Sequence, residues 1–294
     1  MFPTLTQKTG MSPLRKQMHD DMVVRGLAER TRESYLYAVT GLAKYYGKGP
    51  DQIDETEVQN YLLYLIQEKK AAWSSCNLVC QALKFFYRTT LKRREAEFCI
   101  PSPRQPQKLP QILAREEIAR LFELTTNLKH RTILMTIYGT GVRLSEACHL
   151  RVGDIDSSRM TIRVEHGKGA KDRYTLLSPR LLVALRQYWV VYRPQLWLFT
   201  NQDGTQSISD GTVQKIFHRA MARADITKDS GVHGLRHAFA THLLEAGADL
   251  PRIQRLLGHG YISTTMRYLH LAQKHLSGTA APLDLLELPP TKRR

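Results

Sequence analysis

Residues 233–268 read HGLRHAFATHLLEAGADLPRIQRLLGHGYISTTMRY. Apolar positions recurring at helical spacing predict helices over 234–246 and 250–257, and a third over 263–272. His233 and Arg236 are three residues apart and so share one helix face. His237 lies one residue off that face and reads as a structural side chain, a buried hydrogen-bond donor. His242, inside ATHLL, reads as a packing residue. His259 follows a glycine at a helix boundary and stands nine residues before Tyr268. A short helical stretch thus gathers an arginine, several imidazoles and a phenol.

Upstream of it, helical patterns cover about 115–124 and 130–138. The second is broken by Gly139, Thr140 and Gly141, and a helix restarts near Arg143. Residues 160–166 alternate apolar and polar, as a half-buried strand does. A turn at 167–169 and a return strand over 173–177 complete a hairpin, and further helices follow over 179–192 and 209–224. The first hundred residues read as a small helical bundle. Ser12 with Pro13 starts one helix, carrying Leu14, Met18 and Met22. Thr31 opens a second with Leu36, Val39, Leu42, Ala43 and Tyr46 on its apolar face. Asp54 and Glu57 form a capping box before Val58, Tyr61, Leu62, Leu65 and Ile66. Ser74 or Ser75 precedes Leu78, Val79, Leu83, Phe86 and Tyr87. The run IPSPRQPQKLP over 100–110 holds four prolines and reads as an extended linker. The expected organisation is therefore a helical domain over 1–99, a linker over 100–110, and a larger domain with a C-terminal tail over 111–294.

The bulk numbers narrow the partner. With 43 Lys and Arg against 27 Asp and Glu, the formal net charge is +16, which suits a polyanion. Residues 1–110 hold 17 basic against 11 acidic side chains and the remainder 26 against 16, so both parts share the excess. Cys76, Cys80, Cys99 and Cys148 have neither the spacing of a disulfide framework nor nearby histidines that would complete a zinc site. They read as reduced core thiols, which fits a cytoplasmic protein. The N-terminal MFPTLTQKTG lacks the basic and apolar regions of a signal peptide, and no apolar run approaches the ~20 residues that span a bilayer. No phosphate-cradling loop is evident either.

Three segments carry chemistry: YGTGVRLSEA over 138–147, HGLRH over 233–237, and LGH at 257–259 with Tyr268. Together, in this order and spacing, they resemble the tyrosine recombinase family, which includes the Xer, integron, phage-integrase and Cre types. Lys168, in GKGAKDR over 167–173, matches that family's hairpin lysine. The resemblance covers nearly the whole chain, because the N-terminal part is similar to the family's SAM-like core-binding domain. It implies a mainly α fold with a small β-sheet, as a helical domain followed by a mixed α/β catalytic domain. It also implies a catalytic set of Arg143, Lys168, His233, Arg236, His259 and Tyr268, with Glu146 in support.

The chemistry of a phosphodiester fits these residue types. Charge gathers on the non-bridging oxygens in the transition state, and preorganised guanidinium groups stabilise it with paired hydrogen bonds. Arg143 and Arg236 are the two candidates, with Glu146 orienting the site. His233 can accept the phenol proton or hold a phosphate oxygen, and His259 can donate to one. Lys168, with Lys171 as rival, can protonate the leaving 5′ oxygen. Tyr268, rather than Tyr261, matches the nucleophile, and the resemblance implies a 3′-phosphotyrosyl bond formed without metal, nucleotide or other cofactor. It implies double-stranded DNA as partner and a homotetramer on paired sites, with no membrane. Leu283, Leu285, Leu286 and Leu288 form an apolar patch that packs either on the chain's own domain or on a neighbouring subunit. Two other readings remain: a type IB topoisomerase, and a DNA-binding protein without catalysis.

Overall fold

A computed structural model of the chain describes residues 12–93, 98, 111–165 and 172–269. The chain divides into two compact units, 1–107 and 108–294. The predicted linker, Lys168, Lys171, Cys99 and the leucines of the tail lie outside the described residues.

The first unit is helical. Helix α1 (Pro13–Val24) starts on Ser12, whose hydroxyl accepts from the Arg15 backbone N–H at 3.3 Å. Helix α2 spans Glu29–Tyr46, α3 Glu55–Gln67 and α4 Trp73–Phe85, the last running on into a π-turn over Phe86–Thr90. The predicted capping box is present: the Glu57 N–H reaches Asp54 Oδ1 at 2.8 Å, and the Asp54 N–H reaches Glu57 Oε2 at 3.0 Å. Two helices begin earlier than their apparent caps. Thr31 already bonds back to the Ala28 carbonyl, so it lies inside the first turn of α2, where Glu29 complements the helix dipole. Likewise Ser75 bonds to Ala72. Met18, Met22, Leu42, Val58, Leu62, Cys80, Leu83, Phe86 and Tyr87 make the core. Ile66 and Leu78, expected on apolar faces, are exposed because α3 and α4 turn a narrower stripe inward than the sequence pattern offers.

The second unit is built on α5 (Arg115–Glu123), α6 (Leu128–Thr140), α7 (Leu144–Cys148) and a sheet. Strands β1 (Ile155–Asp156), β2 (Thr161–Val164) and β3 (Arg173–Leu176) pair antiparallel in that order, with Ile162 opposite Thr175. β2 starts one residue later than predicted because Met160 takes a left-handed turn conformation, φ 52°. There follow α8 (Pro179–Tyr192), α9 (Asp210–Arg223), α10 (His233–Glu245), α11 (Leu250–Leu257) and α12 (Ile262–Met266). The chain beyond α12 turns with shorter i→i−3 bonds, Tyr268 to Thr265 and Leu269 to Met266, so the helix expected to reach 272 ends earlier in the described residues.

Helix α10 is the centre of this unit. Its Leu235 and Ala238 belong to the main core with Ile133, Ile137, Leu181 and Phe217. Its Phe239, Ala240 and Leu244 belong to a second cluster with Ile253, Leu257 and Tyr268. Packing on both sides fixes the helix that carries His233, Arg236 and His237. Among the described residues no helix is long and apolar enough to cross a membrane.

Candidate active site

The site is organised by the carboxyl end of α11. Helix ends leave carbonyls without intrahelical partners and carry partial negative charge. Here three successive carbonyls each receive an arginine. Leu256 O accepts from Arg173 Nε at 3.0 Å, Leu257 O from Arg236 Nη2 at 2.8 Å, and Gly258 O, more loosely, from Arg143 Nη2 at 3.4 Å. Gly258 adopts φ 65°, the left-handed cap that ends α11, and a Cβ there would lie 2.7 Å from Arg173 Cδ. Gly141 caps α6 in the same way, and its carbonyl accepts from Arg236 Nη1 at 2.6 Å. At Gly258 the missing Cβ is what lets the Arg173 side chain pass, whereas a Cβ at Gly141 would meet Phe239 and Leu257. Of the predicted breakers, Gly139 and Thr140 stay inside α6 and Gly141 alone ends it.

Glu146 is the counter-charge. Its carboxylate accepts from Arg143 Nη1 at 2.8 Å and from Arg173 Nη1 and Nη2 at 2.9 and 2.6 Å, and it lies 4.0 Å from Arg236. It also takes the Arg143 N–H at 2.7 Å, which starts α7. Burial alone would raise its pKa, but the hydrogen bonds and charge of Arg173 and Arg143 override this and hold it down at about 2. Three guanidinium groups against one carboxylate leave a local excess of positive charge. Arg236 is only 1% exposed, and burial with the neighbouring Arg143 lowers its pKa to about 10, so it stays cationic at neutral pH.

The imidazoles and the phenol stand beside this cluster. Arg236 Nη2 is 3.1 Å from His259 Nε2. A guanidinium only donates, so Nε2 presents its lone pair and Nδ1–H donates to Thr265 Oγ1 at 2.9 Å. His259 thus orients Arg236. The His259 ring lies parallel to that of Tyr268, centroids 6.4 Å apart. Tyr268, 3% exposed, has its hydroxyl 3.0 Å from His237 Nδ1, and the rings of His237 and His233 meet edge to face at 4.8 Å. Burial, then the nearby cations, lowers both His237 and His259 to about 4, leaving them neutral. Burial likewise raises the Tyr268 phenol, an effect that Arg236, Arg267 and Arg143 oppose. His233 stands at the solvent edge, but the protein against its inner side, with Arg236 and Arg143, lowers its pKa.

Arg143, Glu146, His233, Arg236, His259 and Tyr268 are therefore gathered in one region, while Lys168 lies outside the described residues. Two further members escaped the sequence reading. His237 was expected to be a structural, hydrogen-bonding side chain, and its partner is the Tyr268 hydroxyl; its i,i+4 spacing from His233 was the available signal of a place in the site. Arg173 read as a strand residue and does open β3, but its side chain is also the main partner of Glu146. His242 does more than pack, since its Nδ1 lies 3.0 Å from the Tyr138 hydroxyl. Cys76, Cys80 and Cys148 are buried, and among the described residues no group of His, Cys, Asp and Glu is placed to hold a metal ion.

Comparison with known proteins identifies the family. Residues 111–275 match the phage integrase family, and residues 14–97 match the phage integrase N-terminal SAM-like domain. The integrase/recombinase y4qK of Sinorhizobium fredii is 44% identical over 286 residues, 97% of this chain and 92% of that protein. The tyrosine recombinase XerA of Pyrococcus furiosus is 32% identical over 288 residues, 96% of this chain and 98% of that protein. In fold, the chain is similar to a lambda integrase crystallised as a tetramer bound to a Holliday junction, with TM-score 0.68 and 19% identity, covering 87% of this chain and 76% of that one. The match over both units and across the arginine, histidine and tyrosine segments makes the chain a member of the phage integrase family, the tyrosine-type site-specific recombinases.

Proposed function

We propose that this chain cleaves and rejoins double-stranded DNA at specific sites through Tyr268, with a 3′-phosphotyrosyl intermediate and no metal or nucleotide. The observation that carries the reading is the juxtaposition of a cationic cradle with a buried phenol. Arg236 bonds His259, whose ring lies parallel to Tyr268, and Arg143 shares the Glu146 carboxylate with Arg173.

In this mechanism the non-bridging oxygens of the scissile phosphate take hydrogen bonds from Arg143 and Arg236. The Tyr268 oxygen attacks phosphorus, the bond to the 5′ oxygen breaks, and the ester energy is kept for rejoining. The phenol proton passes to a neighbouring imidazole, His237 being nearest and His233 beside it. Lys168 protonates the leaving 5′ oxygen. Guanidinium charge does the work that a divalent ion does in other phosphoryl-transfer sites. Tyr268 is buried with its hydroxyl on His237, and in this mechanism the phenol turns from that contact to the phosphate. Residues 1–99 bind DNA as the core-binding domain, residues 100–110 link it to the catalytic domain over 111–294, and four chains assemble on paired sites, as the lambda integrase tetramer does on a Holliday junction.

The test is a trap on nicked duplexes carrying the DNA that flanks the protein's own gene. Wild-type protein should give a covalent band on a denaturing gel, in EDTA as in its absence. Tyr268→Phe should bind the same DNA and give none. An adduct with Tyr268→Phe would overturn the nucleophile, and loss of the wild-type band in EDTA would overturn the metal-free mechanism. Footprints without any adduct would favour a binding protein without catalysis.

A further inference from the structure

Arg173 is the guanidinium that pairs with Glu146 through both of its terminal nitrogens. Its side chain is 10% exposed, its two terminal nitrogens fork onto both oxygens of Glu146, and its Nε is fixed to Leu256 O. The stem of the same side chain lies against Gly258, immediately before His259. Its three bonds thus go to Glu146 and to the end of α11. Arg143 is differently placed. Its side chain is 24% exposed, one nitrogen touches Glu146, and the other reaches Gly258 O only at 3.4 Å.

A carboxylate beside a phosphate site poses an electrostatic problem. It repels the anion, and it competes with the anion for the guanidinium that should bind it. If Glu146 had Arg143 as its sole close counter-charge, the pair would be a closed i,i+3 ion pair, and a phosphate would have to break it. A bidentate arginine on the opposite side removes most of that cost. We infer that Arg173 is a positioning residue whose forked pairing neutralises Glu146 and so releases the Arg143 guanidinium for the DNA phosphate. This rests on the proposed reading of Arg143 as a phosphate ligand. Glu146 then keeps its structural work, capping α7 and setting the Arg143 backbone, without withholding the charge.

The inference separates charge from packing, so a charge-restoring double variant tests it. Single-turnover adduct formation on the nicked duplex is measured for wild type, R173K, R173Q and R173Q/E146Q, with DNA affinity and melting temperature alongside. R173Q should slow adduct formation roughly 10- to 100-fold, while DNA affinity, spread over many phosphates, changes less than about threefold. R173K keeps the charge but loses the fork and should fall between wild type and R173Q. Adding E146Q to R173Q removes the unpaired carboxylate and should restore most of the lost rate, which a packing role would not allow.

An R173Q rate within about threefold of wild type, or a double variant as slow as R173Q, would overturn the inference. Should R173Q alone not fold, the double variant decides: a rate near wild type supports the inference, and one as low as that of Tyr268→Phe defeats it. Failure of the underlying reading looks different, because wild type itself would then give no Tyr268-dependent adduct.

Discussion

Single residues in this site are governed by burial. His237 and His259 are held near pKa 4, against an ordinary value of 6.5, first by desolvation and then by neighbouring cations. Below pH 6.5 the unfolded chain takes up protons at these rings that the folded chain refuses. Their contribution to stability is therefore complete above about pH 6.5 and is lost as pH falls toward 4. The carboxylate of Glu146, held at about 2, adds a second loss below its ordinary value of 4.5. The melting temperature should accordingly drop between pH 7.5 and pH 5, and His259→Asn should flatten the slope. A melting temperature that is level across that interval would contradict neutral buried imidazoles.

At the scale of elements, the carboxyl end of α11 does the most. Its left-handed glycine ends the helix, opens three carbonyls to three arginines and makes room for the Arg173 stem. Gly258→Ala should cost about 1–2 kcal/mol for the left-handed backbone alone. The added methyl, 2.7 Å from Arg173 Cδ, should also displace that side chain from Glu146. Thermal melting and the adduct assay should then both register the change, with cleavage falling further than stability explains. A variant that melts lower but cleaves at the wild-type rate would show that the cap is structural only. Elsewhere the elements follow ordinary rules: Asp54 and Glu57 cap α3, and Asn127, Ser178, Ser209 and Asp249 accept the first free N–H groups of α6, α8, α9 and α11.

For the whole molecule the governing quantity is charge. A net +16 shared by both parts of the chain predicts that affinity for DNA rests on phosphate contacts. The logarithm of the binding constant should fall linearly with the logarithm of salt concentration, at a slope of about −0.9 per phosphate neutralised. Titrations of a labelled duplex across 50–200 mM salt, on the order of the range where such losses reach 10³-fold or more, measure that slope. Tyr268→Phe should leave it unchanged, because the phenol carries no charge at neutral pH. A slope near zero would mean that binding depends on groove contacts rather than on the basic surface.

Local and periodic features were legible in the chain alone. Helical spacing located the bundle and most helices of the second unit, and polar residues at the starts of apolar runs located several caps. The arginine, histidine and tyrosine segments pointed to the family, because their order and spacing survive without knowledge of contacts. Which side chains meet across distant segments emerged only from the packed fold. Arg173 and Glu146 are 27 residues apart, and His237 and Tyr268 are 31 apart. Neither pair leaves a periodic signal. Arg173 looks like any strand residue, and His237 looks like a core histidine, until α10, α11 and β3 pack around one helix end. A carboxylate or a phenol is tuned by what lies within about 4 Å in space, and chain spacing fixes that only within a helix or a turn.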